Sequence, residues 1–275
     1  MYSRAYIEIT NICNMHCSFC HGHSRTPRRM SQAEFGRILD QLTGLTKYIY
    51  YHLMGEPLTH PELPKFLKMA AEREFRSMIT TNGTLLSKRG EEILAAGLHK
   101  VNISVHSFEE GSEEDHQKYL SEIADFAEKA SKAGVIVVLR LWNQGYDDGR
   151  NDQVLSFLQE RLTGDWAENT RGIRIREKLF LEWGDRFEWP DAEATVQGES
   201  VFCYGLRDHF GILCDGTVVP CCLDSDGVIN LGNVYQEELA DILKSERAEN
   251  ICRGFDRRQA VEDLCRRCGY AQRFS

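Results

Sequence analysis

The segment Cys13-Asn14-Met15-His16-Cys17-Ser18-Phe19-Cys20 directly follows an alternating apolar stretch at residues 6–10. Its three cysteines are separated by three residues and then by two, so one tight loop carries three thiols. Three thiolates can hold three corners of a four-iron, four-sulfur cluster, whereas electron-transfer clusters of this type use four cysteines. The remaining iron would be open to a small-molecule ligand. The loop therefore predicts an iron-sulfur site that takes part in chemistry.

A zinc site is the alternative for this loop, completed by His16, His21 or His23. Zinc sites usually pair a Cys-x2-Cys motif with a second Cys or His pair further along the chain. A three-then-two spacing immediately after a strand is not typical of them. We therefore favour the iron-sulfur interpretation.

The composition is that of a soluble globular protein. The chain has 275 residues, of which 42% are hydrophobic and 27% charged, so it can form one large domain with a small appendage. No basic segment followed by an apolar stretch opens the sequence, and no apolar run approaches the length of a membrane span. Ten cysteines without a signal peptide indicate a reducing compartment, so we expect a cytoplasmic protein.

The net charge is negative. A formal charge of -9 and a pI near 5.5 argue against a broad nucleic-acid surface, because binding to phosphates requires a basic one. A local basic patch would still be enough for a single phosphate. The charge therefore favours small substrates or neutral partners, and we expect no membrane partner.

Strand-length apolar segments alternate with helical patterns through the first two-thirds of the chain. A capping box, Ser31 with Glu34, opens one of the predicted helices. Six βα units with right-handed crossovers predict an α/β fold, a partial (β/α)6 parallel barrel whose ligands lie at the carboxyl ends of the strands. The predicted strands span residues 5–10, 47–53, 77–81, 100–106, 135–141 and 172–176.

The cysteine loop, with Phe19 as the aromatic residue before the last cysteine, resembles the signature of the radical S-adenosylmethionine (SAM) superfamily. The resemblance implies that Cys13, Cys17 and Cys20 hold a 4Fe-4S cluster and that SAM binds its open iron. It also implies that the reduced cluster splits SAM into methionine and a 5'-deoxyadenosyl radical, which takes a hydrogen atom from a substrate. A flavodoxin- or ferredoxin-type protein is the implied electron donor.

Three further segments are similar to motifs of that family, and each follows or ends a predicted strand. Met54-Gly55-Glu56-Pro57 resembles its Gly-Gly-Glu motif, Thr80-Thr81-Asn82-Gly83 resembles its Thr-Asn-Gly turn, and Ser104-Val105-His106 resembles its Ser-x-Asp pattern. Gly-Glu-Pro and Asn-Gly are also ordinary turn sequences. The resemblance implies contacts with SAM from Gly55, Glu56, Asn82 and Ser104. His106 replaces an acid, and we assign it as the candidate catalytic base.

Other polar residues lie on or near the predicted strands. A charged side chain inside a barrel is costly unless it is paired with an opposite charge or an ionic ligand. The family often has a polar residue near the SAM carboxylate at the position of Arg140, so the resemblance implies that role here, although an internal salt bridge is an equal alternative. The expected substrate contacts are Glu8, His52, Asn143 and Arg176.

A second set of cysteines follows in the last quarter of the chain. The Asp215-Gly216 turn can fold Cys203 and Cys221 towards each other, and a Cys265-x2-Cys268 pair can return to complete four thiolates. This set resembles the short "twitch" form of the SPASM extension, a small α+β domain, which implies one auxiliary 4Fe-4S cluster. Zinc or a redox pair is the alternative. Cys222 adjoins Cys221 and could replace it; the three cysteines outside the set are Cys214, Cys222 and Cys252.

These observations divide the chain into a radical SAM barrel at 1–180, a bridge at 181–202 and a twitch domain at 203–275. We expect an enzyme that acts on a small polar sugar or nucleoside. The outcome would be bond cleavage, as in a queuosine lyase-like reaction, or dehydrogenation, as in aminocyclitol dehydrogenases. One alternative is a peptide-modifying maturase, although these frequently carry a leader-binding domain before the barrel, and the first strand here begins near residue 5. The other is a non-catalytic zinc or iron-sulfur scaffold.

Overall fold

The computed structural model describes residues 1–198 and 200–274, in which ten strands form one sheet. Glu199 and Ser275 belong to the predicted bridge and twitch domain and lie outside the described residues. The strands are β1 (Arg4–Ile7), β2 (Tyr48–Tyr50), β3 (Arg76–Thr81), β4 (Leu98–Ser104), β5 (Ile136–Gln144), β6 (Ala167–Asn169), β7 (Gly172–Arg176), β8 (Leu179–Asp185), β9 (His209–Ile212) and β10 (Val218–Val219).

Six of these strands form the parallel sheet that the alternating pattern predicted. Their order is β1-β2-β3-β4-β5-β8, and every neighbouring pair is parallel. The mixed α/β fold built on a parallel sheet is therefore confirmed. Alternate residues of each strand point to opposite faces, so one face packs on helices and the other faces the barrel interior.

The identity of the sixth parallel strand was predicted wrongly. Residues 172–176 form β7, which pairs antiparallel with β8, and it is β8 that lies beside β5. The chain reverses between the two strands at Lys178, which has a left-handed backbone with φ of 63°. Turns of this kind usually carry Gly or Asn, so Glu177-Lys178 gives no turn signal and the sequence places most of β8 in the bridge.

Within the described residues, five helices lie between strands and three follow the last strand. The predicted capping box at the first helix is present, with Ser31 accepting from the backbone of Glu34 and Glu34 accepting from that of Ser31. Phe35 and Phe66 stack in the outer core with ring centroids 4.4 Å apart. The helices are α1 (Gln32–Leu42), α2 (Leu63–Glu72), α3 (Leu86–Leu94), α4 (Glu113–Lys132), α5 (Arg150–Arg161), α6 (Leu239–Ile242), α7 (Glu246–Asp256) and α8 (Asp263–Arg266).

The C-terminal part of the chain joins the same sheet. β9 pairs in parallel with β1, and β10 turns back against β9 as the predicted Asp215-Gly216 hairpin. The cysteines of that part are thereby held beside the first strand of the barrel. Within residues 1–198 and 200–274, no helix has the length and apolar character needed to cross a membrane.

Candidate active site

The loop with Cys13, Cys17 and Cys20 follows β1 and is held by contacts from the segment after β4. Both the backbone N–H and the hydroxyl of Ser18 donate to the carboxylate of Glu109, at 2.6 and 2.5 Å. The thiol of Cys17 lies 3.7 Å from the carbonyl oxygen of Ser107. Glu109 comes shortly after β4 in sequence, a position that could have revealed this role.

The aromatic residue of the loop is fixed on both sides. The ring of Phe19 packs against that of His106 with centroids 4.8 Å apart, and the indole N–H of Trp189 donates to the carbonyl of Phe19 at 3.0 Å. The Nδ1 atom of His106 lies 3.0 Å from the carbonyl of Arg140 and 3.3 Å from the backbone N–H of Trp142. The imidazole is therefore held against the cysteine loop.

The turn after β2 brings Gly55 against the segment that leads into the loop. Gly55 has φ of 75°, and a Cβ at this position would collide with the carbonyl oxygen of Thr10. Only glycine allows both the left-handed backbone and this close approach. The backbone of residue 55 is consequently presented at the edge of the cysteine loop.

The carboxylate of Glu56 is buried and engaged by three protein donors. It accepts from the backbone N–H groups of Leu58 and Asn82, at 2.9 and 2.8 Å, and from the hydroxyl of Thr81 at 2.8 Å. Burial raises the pKa of Glu56 to about 7, although these bonds favour the charged form. Glu56 thus ties the turn after β2 to the turn after β3.

Asn82 connects the turn after β3 to the cysteine loop. Its amide donates to the side-chain oxygen of Asn14 at 3.0 Å and lies 4.0 Å from the thiol of Cys13. Its own side-chain oxygen accepts from the hydroxyl of Thr84 at 2.7 Å.

At the end of β4, the carbonyl of Ser104 lies 3.5 Å from the hydroxyl of Tyr119. The same hydroxyl donates to the carbonyl of Asn82 at 2.7 Å, so Ser104 is linked to the turn beside the cysteine loop, whereas Arg140 lines the larger cavity.

Two cavities adjoin strand β5, and only the smaller is lined by residues of the cysteine loop. The smaller, of about 290 Å³, is lined by Phe19, His106, Asn143 and Arg186. The larger, of about 800 Å³, fills the barrel interior and reaches the second cysteine set. Its wall includes His52 and Arg140, so two residues assigned different roles from the sequence share one cavity.

His52 and Arg140 are polar groups in largely apolar surroundings. Burial, followed by the nearby charge of Arg140, lowers the pKa of His52 to about 3, so the imidazole is neutral. Its Nδ1 atom is buried without a hydrogen-bond partner among the described residues. The guanidinium of Arg140 lies over the ring of Trp142, with its central carbon 4.4 Å from the ring centroid.

The second set of cysteines converges at the far end of the larger cavity. Burial raises the pKa of Cys221 well above its usual value, and the neighbouring thiols of Cys222, Cys203, Cys268 and Cys265 raise it further. Cys222 instead faces the hydroxyl of Tyr6. Burial raises the pKa of Cys222, and the hydrogen bond with Tyr6 offsets part of that rise. Cys203, Cys221, Cys265 and Cys268 all line this cavity, and four cysteine thiolates are the usual ligands of an iron-sulfur cluster.

Two of the expected substrate residues, Glu8 and Arg176, line neither cavity. The carboxylate of Glu8 is bound by both terminal nitrogens of the Arg25 guanidinium, at 2.5 and 2.7 Å, so it serves the fold. Arg176 donates to the hydroxyl of Ser131 on α4 at 3.0 Å and lines neither cavity. Arg176 lies away from the cavities because it belongs to β7, which is not one of the parallel strands. Neither residue is therefore expected to contact a substrate.

Comparisons with known proteins agree with this arrangement. A family model described as the radical SAM superfamily matches residues 7–148, more than half of the chain. The chain belongs to the radical SAM superfamily. A second model, SPASM, described as an iron-sulfur cluster-binding domain, matches residues 203–269. The cofactors of this radical SAM enzyme are thus SAM, a 4Fe-4S cluster and an auxiliary iron-sulfur cluster.

Among curated relatives, this chain is similar to proteins named "Probable GTP 3',8-cyclase". The protein from Archaeoglobus fulgidus is 30% identical over 179 residues, which cover 61% of this chain and 57% of the relative. The protein from Methanococcus vannielii is 34% identical over 103 residues, covering 36% and 35%. The chain therefore spans less than two-thirds of the length of these relatives.

Solved structures support the fold. BtrN in complex with AdoMet and 2-DOIA superposes with a TM-score of 0.62 at 17% identity, covering 98% of this chain and 93% of BtrN. The enzyme anSMEcpe with bound AdoMet gives a TM-score of 0.64 at 14% identity, covering 98% and 86%. Identities this low show a shared fold and no shared substrate.

The donor sets fit the cofactors of the superfamily. Cys13, Cys17 and Cys20 would hold the cluster that binds SAM, and Gly55 presents its backbone beside them. In the described part of the chain, no three Cys, His, Asp or Glu side chains are grouped closely enough to bind one metal ion. The choice of an iron-sulfur cluster therefore rests on the family and on the cysteine spacing.

Proposed function

We propose that this radical SAM enzyme cleaves SAM reductively and abstracts a hydrogen atom from a small polar sugar- or nucleoside-type substrate. The outcome is bond cleavage or dehydrogenation. The observation that carries the proposal is the cavity of about 800 Å³ in the barrel, whose wall combines aromatic and charged groups and reaches the second cysteine set. A cavity of this size suits a small molecule.

The polar groups of the cavity support a substrate rich in hydrogen-bonding atoms. Tyr50, His52, Lys100 and Glu182 all line the wall. Relatives named GTP 3',8-cyclase favour the nucleoside side of the proposal, and a rearrangement of a nucleotide is the second candidate reaction. An electron donor of the flavodoxin or ferredoxin type would supply the reducing electron.

The residues divide into three proposed roles. Gly55, Asn82 and Ser104 contact SAM, while Glu56 positions the turn that presents Gly55. Asn143 belongs to the smaller cavity beside the cysteine loop, so we propose it as a SAM contact instead of a substrate contact. His106 packs on Phe19, and we propose that it orients the loop and is not the substrate base. The auxiliary ligands are Cys203, Cys221, Cys265 and Cys268.

The proposal is tested by anaerobic turnover of reconstituted protein against nucleosides, nucleotides, aminosugars and peptides. Each compound is deuterated, and transfer of deuterium into 5'-deoxyadenosine is measured by mass spectrometry. Transfer from a nucleoside, nucleotide or sugar supports the proposal. Transfer from peptides alone would identify a peptide-modifying maturase. Protein that holds its full iron but releases no 5'-deoxyadenosine with SAM and a reductant would be a non-catalytic scaffold.

A further inference from the structure

The larger cavity carries positive charge that the protein does not neutralise. The ammonium of Lys100 and the guanidinium of Arg140 both line it. Among residues 1–198 and 200–274, neither side chain has a hydrogen-bond acceptor or an ion-pair partner within bonding distance; the ring of Trp142 is the contact of Arg140. Burial and the neighbouring charge of Arg140 lower the pKa of Lys100. Two unpaired cations in one barrel interior are unfavourable unless a ligand supplies the opposite charge.

The same wall carries donors that no protein acceptor satisfies. The Nε atom of Arg140 and the Nε1 atom of Trp142 are both buried without a partner among the described residues. Arginine and tryptophan nitrogens can only donate hydrogen bonds. Because these two atoms are covered by protein, a ligand in the cavity would meet the terminal nitrogens of Arg140 and the ammonium of Lys100, which also only donate, and it must therefore bring acceptors.

Three other cations line the same cavity, and among them Arg171 also makes no ion pair with a described residue. Arg4 lines the same cavity and forms an ion pair with Asp208 at 2.5 Å. Arg273 donates to the carbonyl of Asp185. Glu182 lies opposite Arg140 in the sheet register, yet it makes no ion pair with either free cation in the described structure. The described lining holds five Lys or Arg side chains and three carboxylates, Glu182, Asp208 and Asp224, so the cations outnumber the carboxylates by two.

We infer that the substrate carries an oxyanion, a phosphate or a carboxylate, which Lys100 and Arg140 bind inside the barrel. This inference rests on the proposed function, because it assigns a chemical class to the substrate of the same site. Arg140 pairs in register with Ser104, and Lys100 lies four residues earlier on β4. At the usual rise of a strand, the two side chains start roughly 13 Å apart along the barrel, a span that long side chains can close around one anion. The anion thereby anchors the substrate inside the barrel, within the cavity that extends to the auxiliary cysteines.

Matched ligand pairs test this inference on the anaerobic holoenzyme. Guanosine 5'-monophosphate is compared with guanosine for phosphate, and glucuronate with glucose for carboxylate, by calorimetric titration. We expect the charged member of at least one pair to bind about tenfold or more tightly, since hydrogen bonds to charged groups are stronger than neutral ones. Which pair shows the preference distinguishes phosphate from carboxylate.

Substitutions of Lys100 and Arg140 test whether these two residues cause the preference for the charged ligand. Lys100→Gln and Arg140→Gln should each reduce the ratio of affinities for the charged and the neutral ligand about tenfold. The charge-preserving Lys100→Arg should retain most of this preference. Lys65→Gln, at an exposed position on α2, is the control for general loss of charge. Iron content and the melting temperature report whether each variant is folded.

Several results would overturn the inference. Equal affinity within both pairs, including equally undetectable binding, contradicts it, as does a preference that both Gln variants retain. An Arg140→Gln variant that raises the KM for SAM and leaves the anion preference intact would assign Arg140 to the SAM carboxylate. Release of 5'-deoxyadenosine by the wild type is measured separately, so failure of the inference is distinguishable from failure of the proposed function.

Discussion

Gly55 shows how one residue can decide the geometry of the cysteine loop. Its φ of 75° and the closeness of the Thr10 carbonyl leave no room for a side chain. The left-handed backbone and the backbone contact are separate constraints, and Gly44 carries only the first. Gly44 has φ of 82°, and a Cβ there would meet no atom within 4 Å.

Gly55→Ala should therefore destabilise the protein more than Gly44→Ala does. The left-handed backbone alone costs about 1–2 kcal/mol for alanine, and we expect the collision at residue 55 to bring the total to about 3 kcal/mol or more. Urea unfolding measures both losses. Equal losses in the two variants would show that the contact with Thr10 relaxes without cost.

His52 makes stability depend on pH. Burial lowers its pKa to about 3, whereas the unfolded chain takes up the proton near pH 6.5. The unfolded state therefore binds more protons between these values, and the free energy of unfolding falls as the pH drops below about 6.5.

We expect His52→Phe to remove this dependence while keeping the edge-to-face contacts with Tyr6 and Tyr50. Between pH 7.5 and 5, the wild type should lose about 2 kcal/mol more stability than the variant. Urea unfolding is measured without substrate and in phosphate-free buffer, because a bound anion would favour the protonated imidazole. Parallel pH profiles would mean that His52 becomes protonated in the folded state.

At the scale of elements, an ion pair connects the start of the barrel to the C-terminal segment. Glu8 follows β1 and is fully buried, and Arg25 binds it with both terminal nitrogens. The Nε of Arg25 donates to the carbonyl of Ser225 at 2.8 Å, and Glu8 also accepts from the backbone N–H of Cys214 at 3.1 Å. The ion pair of Glu8 and Arg25 therefore connects the segment that carries the first cysteine set to the segment that carries the second.

Arg25→Met should cost about 3–5 kcal/mol of stability, because it leaves the buried carboxylate of Glu8 unpaired. The double variant Glu8→Gln/Arg25→Met should recover part of that loss. Urea unfolding of the full cycle gives the coupling between the two residues. The control is Arg161→Met, whose exposed pair with Asp125 should contribute less than about 1 kcal/mol. A loss at Arg25 no larger than at Arg161 would refute the buried link.

At the scale of the whole molecule, the two cysteine sets lie beside one sheet, and we propose that they serve different steps. Cys17 belongs to the loop whose cluster binds SAM, whereas Cys265 lies with the set that borders the larger cavity. We expect loss of the first set to remove SAM cleavage itself. We expect loss of the second to stop the conversion of the substrate and to spare some cleavage of SAM.

Cys17→Ala should therefore abolish formation of 5'-deoxyadenosine, and Cys265→Ala should spare some uncoupled cleavage of SAM while stopping product. Each variant should lose about half of the iron of the wild type, whereas Cys252→Ala, outside both sets, should keep it. Iron analysis and chromatography of 5'-deoxyadenosine provide the measurements. Equal loss of cleavage in both cysteine variants, with the fold intact, would argue against separate roles.

The sequence by itself determined the features that depend on near neighbours. The spacing of Cys13, Cys17 and Cys20, the capping box at Ser31 and the strand-ending turn at Gly55 each follow from a few adjacent residues. The alternation of strand and helix also predicted the parallel sheet, because a connection between parallel strands needs a crossover of helix length.

Only the tertiary structure decided the features that depend on pairing between distant segments. It assigned β8 and not β7 to the parallel set, which moved Arg176 out of the barrel. It turned Cys221 towards the other thiols and Cys222 towards Tyr6, and it brought Lys100 and Arg140 to one cavity. The physical reason is that a one-residue shift in register turns a side chain to the opposite face, and long-range strand pairing sets that register.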